Sequence, residues 1–94
     1  MTAGRAAYEL VLTPPARRAV EVGLPEAVAT AVLELMSTAL VERPRQLGNP
    51  LVGDLAGVWS ARRGTYRILY RIRGEEREVV VLRIEHRRDA YRPS

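Results

Sequence analysis

Cysteine, lysine and phenylalanine are all missing from this 94-residue chain, and histidine occurs once. Without cysteine there is no disulfide framework and no thiolate metal site. A single histidine excludes a His-rich metal centre and the HExxH motif. It also excludes a two-histidine ribonuclease, because His86 cannot be both general acid and general base. No Walker A loop, GxGxxG or GxSxG run is present, and the acidic residues show no paired-carboxylate spacing. No apolar run approaches the roughly 20 residues needed to span a bilayer, and MTAGRAAYEL lacks the apolar core of a secretory signal. The expectation is one soluble cytoplasmic domain over residues 1–94, with residues 1–7 a flexible N-terminus and with no cofactor, no metal and no membrane partner.

What the chain has in abundance is arginine. All 15 basic side chains are arginine, giving a net charge of +4. Residues 1–56 carry five arginines against six acids, whereas residues 57–94 carry ten against five, so the basic character belongs to the C-terminal half. Planar guanidinium forks suit phosphate recognition, although codon usage in a GC-rich genome accounts for the preference equally well. A pI near 10.3 makes RNA, DNA or an acidic protein the expected partner class without choosing among them.

Hydrophobic periodicity supplies the elements. Tyr8, Leu10 and Leu12 alternate with Glu9 and Val11, which predicts a short strand. Thr13 offers an N-cap and Pro14 suits the first helical position, so a helix should run to about Val22 and close at Gly23 in a left-handed conformation. Pro25 restarts the chain, and Val28, Val32, Leu35, Met36 and Ala39 recur at spacings of three and four, predicting a second helix over 26–40. The alanines Ala16, Ala19, Ala27, Ala29 and Ala31 should let the two helices approach closely as a hairpin.

Pro44, Gly48, Asn49, Pro50, Gly53 and Gly57 then mark a long loop. Strands are predicted over 58–62, 66–73 and 78–85, linked by short turns as an antiparallel meander. The expected fold is α+β with the order β-α-α-β-β-β: a small, antiparallel-rich sheet packed against an N-terminal helical hairpin. Within the strand 66–73, Tyr66, Ile68, Tyr70 and Ile72 alternate with Arg67, Leu69, Arg71 and Arg73, so one face is apolar and the other largely guanidinium. That second face is either a surface for a polyanion or a solvated sheet face. Trp59 is expected in the core.

The order and spacing of three short motifs now carry a family resemblance. Gly53, Leu55, Gly57 and Trp59 form a G-x-L-x-G-x-W run, Tyr66, Arg67, Ile68 and Tyr70 a Y-R-I-x-Y strand, and His86, Arg87, Arg88 and Tyr91 an H-R-R-x-x-Y ending. Together they resemble the RelE branch of the RelE/ParE toxins of bacterial toxin–antitoxin systems, over nearly the whole chain from Tyr8 to Arg92. The resemblance implies a toxin that enters the ribosomal A site and cuts messenger RNA there without a metal, by attack of a ribose 2′-OH on the adjacent phosphate.

By the same resemblance, Arg67 matches the phosphate-stabilising arginine and Arg87 the arginine that assists the leaving group. Tyr91 matches a tyrosine that stacks on a base or helps activate the nucleophile, and Arg62 stands where relatives carry a basic residue. Arg63, Arg88, His86 and Arg92 would be RNA contacts, and His86 is a possible substitute acid or base. Ser60 departs from the pattern, standing where some relatives have a second lysine. The implied partners are the ribosome and its mRNA, a RelB-like antitoxin with an acidic helical segment, and operator DNA reached only through the antitoxin complex. A ParE-like gyrase inhibitor that cuts nothing, or a degenerate toxin acting only in a repressor complex, are the alternatives.

Overall fold

The computed structural model describes residues 7–86, so Arg87, Arg88, Tyr91 and Arg92 lie outside the described residues. The N-terminal strand β1 (Glu9–Leu12) leads into helix α1 (Pro14–Arg18), which continues as a π-helical turn over Ala19–Gly23. Helix α2 (Glu26–Leu35) likewise widens to a π-helical turn over Met36–Leu40. There the hydroxyls of Ser37 and Thr38 donate to the carbonyls of Leu33 and Glu34, both at 2.7 Å, competing with the backbone donors of the regular ladder. A short helix α3 (Pro44–Leu47), a two-residue strand β2 (Asn49–Pro50) and a 3₁₀ turn over Gly53–Leu55 follow. Three longer strands complete the order: β3 (Trp59–Arg63), β4 (Tyr66–Arg73) and β5 (Glu78–His86).

The five strands form one sheet in the order β1-β5-β4-β3-β2. The meander β3-β4-β5 is antiparallel as predicted, and β1 joins its edge running parallel to β5. Sequence periodicity places β3, β4 and β5 to within one residue. It misses β2 and α3, reading that stretch as a plain loop. Two residues are too few to show alternation, and a proline is admissible in a strand only at an edge such as this one.

Thr13 is the expected N-cap, its Oγ1 accepting from the Ala16 N–H at 3.4 Å. The same hydroxyl reaches the carbonyls of Val81 and Leu82 at 3.0 and 2.9 Å, which ties the start of α1 to the middle of β5. Gly23 closes its helix where expected but not in a left-handed conformation. The chain leaves through Leu24 in an extended conformation while the Leu24 N–H still bonds the Ala19 carbonyl, a π-type closure that needs no positive φ. Of the hairpin alanines, Ala16 and Ala29 are buried as expected, whereas Ala27 and Ala31 face solvent.

The core lies between the helices and one face of the sheet, joining Ala16, Val32, Met36 and Leu40 to Ile68, Tyr70, Val79, Val81 and Ile84. In β5 the inward set changes phase. Leu69 pairs with Arg83 and Tyr70 with Val81, so Leu82 is an extra residue, and this bulge lets Val79, Val81 and Ile84 all point inward.

Tyr70 is fully buried. Its hydroxyl donates to the Pro44 carbonyl at 2.7 Å, and its ring stacks on half-buried Trp59 with centroids 6.4 Å apart. Trp59 therefore sits at the margin of the core rather than within it. Gly48 passes so close that a Cβ there would lie 2.5 Å from the Tyr70 hydroxyl and 2.6 Å from the Ser60 carbonyl oxygen. Burial pushes the Tyr70 phenol up to about 12, against a backbone hydrogen bond from Gly48 that pulls the other way.

Two outcomes are expected. Gly48→Ala should destabilise the fold by about 1–3 kcal/mol in chemical denaturation, since the methyl meets backbone as well as a side chain; unchanged stability would refute this packing. The folded phenol holds its proton more tightly than an exposed tyrosine, which titrates near about pH 10. Its contribution is therefore complete below about pH 10 and is lost as pH rises through about 12. Thermal midpoints across that window should fall more steeply in the wild type than in Tyr70→Phe.

Candidate RNA-cleaving site

Strand alternation and register place the predicted arginines. Arg62 of β3 stands directly opposite Arg67 of β4, and Arg67 stands opposite Glu85 of β5. Residues paired across antiparallel strands share a face, so these three side chains form one row on the side of the sheet away from the core. Arg71, Arg73 and Arg83 belong to the same outer face. The arginine-bearing face anticipated from periodicity therefore exists, and the helices pack against the other one.

Arg67 is held rather than loose. Its Nε and Nη2 both donate to the Glu85 carboxylate, at 3.2 and 2.6 Å, while Arg83 Nε lies 4.0 Å from the second carboxylate oxygen. The Arg67 side chain remains 41 % exposed, and its Nη1 makes no hydrogen bond among the described residues. A half-exposed pair of this kind contributes only about 0.2–1 kcal/mol to stability. Its larger effect is geometric: one edge of the guanidinium is fixed by Glu85 and Nη1 is left for an anion. Arg62, exposed and adjacent, adds a second positive charge whose proximity to Arg67 is unfavourable until an anion arrives.

Arg63 and His86 are placed differently. Both stand opposite Tyr66, whose ring is buried on the core side, so they share that face rather than the one carrying Arg62 and Arg67. Burial pushes the Tyr66 phenol up, and the Arg63 charge pulls against it, as expected for neighbours on one face. Ser60, opposite Leu69, lies on the outer face two residues from Arg62. Arg87, Arg88, Tyr91 and Arg92 follow His86 in sequence and lie outside the described residues. The structure thus brings Arg62, Arg67 and Glu85 together and leaves Arg63 and His86 off that face. The fixing of Arg67 by Glu85 was foreshadowed only by the pairing of β4 with β5.

A small sheet with an arginine row on its outer face and a helical hairpin behind it matches a known class, the toxins of type II toxin–antitoxin systems. A family model described as the ParE toxin of the type II toxin–antitoxin system parDE matches residues 10–91, and the chain belongs to this RelE/ParE superfamily, with its nearer similarities on the RelE side. It is 47 % identical over 85 residues to toxin RelG of Mycobacterium tuberculosis, covering 90 % of this chain and 97 % of that protein. Toxin RelE of the same organism is 39 % identical over 85 residues, covering 90 % and 87 %. The toxin–antitoxin complex RelBE2 of M. tuberculosis superposes with a TM-score of 0.83 at 45 % identity, covering 87 % of this chain and 100 % of that one.

Proposed function

We propose that this toxin is an endoribonuclease that cuts messenger RNA in the ribosomal A site and so stops translation. The observation that supports it most is the cross-strand pair Arg62–Arg67, with Arg67 oriented by Glu85 and one guanidinium nitrogen unengaged. The chemistry is transesterification. The ribose 2′-oxygen attacks the neighbouring phosphorus as the bond from phosphorus to the 5′-oxygen breaks, leaving a 2′,3′-cyclic phosphate and a free 5′-OH.

Charge accumulates on the phosphorane oxygens, and Arg67 with Arg62 is placed to stabilise it. The 2′-proton must be taken and the departing 5′-oxygen must receive one. Arg62 does not serve as the base, since a guanidinium stays protonated. Arg87 is assigned to assist the departing oxygen, and Tyr91 to hold the splayed base by stacking. The step as written draws on these side chains and no metal.

The toxin is further proposed to act in the cytoplasm and to be neutralised by a RelB-like antitoxin whose acidic helical segment lies along the hairpin. Val22 and Leu33 leave apolar side chains exposed there, 77 % and 43 % accessible. Operator DNA would be reached only through that complex. A ParE-like inhibition of DNA gyrase is the second reading, favoured by the description of the matching family model.

The test is a bacterial translation extract programmed with a defined message. Wild-type protein should cut ribosome-bound message at codon-specific positions, and a 2′-deoxy substitution at the cut site should abolish cleavage. Arg67→Ala should slow cutting by about 10²–10³-fold, the usual cost of removing a group that stabilises an oxyanion. An intact message, together with inhibited gyrase supercoiling, would replace this reading with the second.

A further inference from the structure

A second gathering of cations occupies the opposite end of the sheet. Beside the turn that joins β4 to β5, an open groove of about 820 Å³ is lined by Tyr8, Glu42, Arg43, Arg45, Gln46 and Arg77 among others. Three arginines face one acid. Arg67 and Arg73 mark the two ends of β4, about 20 Å apart at the usual rise per residue. The groove and the Arg62–Arg67 pair therefore cannot hold the same phosphate.

Tyr8 organises this groove. Its hydroxyl accepts from Arg45 Nη1 at 2.9 Å, and the Arg77 guanidinium lies over its ring, 4.5 Å from the centroid. The Arg45 hydrogen bond holds the phenol below the usual tyrosine range. The three side chains come from β1, α3 and the β4–β5 turn and form one stack of a ring and two guanidiniums. Arg77 also adopts a left-handed backbone, φ 53°, a conformation that glycine would take without strain. An arginine there keeps a side chain over Tyr8 at a backbone cost.

The groove has little to offer an amphipathic helix, because no row of apolar anchors lines it. It suits a nucleotide strand, which presents phosphates to guanidiniums and base faces to a ring. We propose that this groove is a second RNA-binding site, in which Arg43 and Arg45 take backbone phosphates and the Tyr8–Arg77 stack takes an unpaired base. The proposal rests on reading the toxin as acting on RNA. It adds an anchor remote from the cut.

The test is fluorescence anisotropy with a labelled single-stranded oligoribonucleotide, 2′-O-methylated so that it cannot be cut, across a salt series. Arg77→Gly is the decisive variant: it relieves the left-handed strain and removes the stacked cation. It should keep or raise the thermal midpoint while weakening RNA binding about tenfold. Arg45→Glu should weaken binding further, and each variant should flatten the dependence of log affinity on log salt by about one unit.

Variants that stay folded and bind the oligonucleotide as the wild type does would overturn the proposal. So would poly-glutamate of matched charge competing as well as RNA, because the groove would then read charge alone. Loss of cleavage in extract with the groove's RNA binding intact would instead count against the proposed endonuclease and leave this site standing.

Discussion

The two faces of β4 cannot be set independently, and most of the molecule follows from that. Tyr66, Ile68 and Tyr70 are buried with Ile72 packed behind them, each apolar side chain contributing about 1.5–3 kcal/mol on full burial. A slip of one residue would turn Arg67, Arg71 and Arg73 into the core, where unpaired charges are far more costly than any packing gain. The core thus fixes the register, and the register fixes which arginines face out. The bulge at Leu82 in β5 extends the same solution: it keeps Val79, Val81 and Ile84 on the core side while Glu85 arrives opposite Arg67.

The arginine row comes at an electrostatic cost. Arg62 and Arg67 oppose each other directly across β3 and β4, and like charges in that relation are destabilising. Glu85 offsets part of this by engaging two nitrogens of one guanidinium, at the exposed end of what an ion pair contributes. Concentrated positive charge on a small fold is a poor device for stability and a good one for an anion. Stability is supplied elsewhere, by the Tyr70, Pro44 and Gly48 contact and by the Thr13 hydroxyl that ties α1 to β5.

Much of this was legible in the residues. Thr13-Pro14 marks a helix start by chemistry alone, and the alternation from Tyr66 to Arg73 gives both the strand and its two faces. The same alternation puts neighbouring Arg62 and Arg63 on opposite faces. The two-residue link Gly64-Thr65, with Gly64 at φ 61°, then sets Arg63 against Tyr66. Other features left no local trace. The two residues of β2 are too few for a period, and the parallel seat of β1 beside β5 is decided by the whole sheet. The Tyr8 groove draws on three distant segments, so no spacing announces it. The family motifs carried the roles assigned to Arg87 and Tyr91, which periodicity alone would have left as a basic tail.

The central claim is that Arg62 and Arg67 serve one scissile phosphate. It is tested most directly by single-turnover cleavage of ribosome-bound message with Arg62→Ala, Arg67→Ala and the double variant. If both side chains act on one phosphate, the double variant should lose less than the product of the two single losses, since groups acting as a unit are not independent. Losses that simply multiply, or an Arg62→Ala protein that cuts at the wild-type rate, would contradict a shared phosphate.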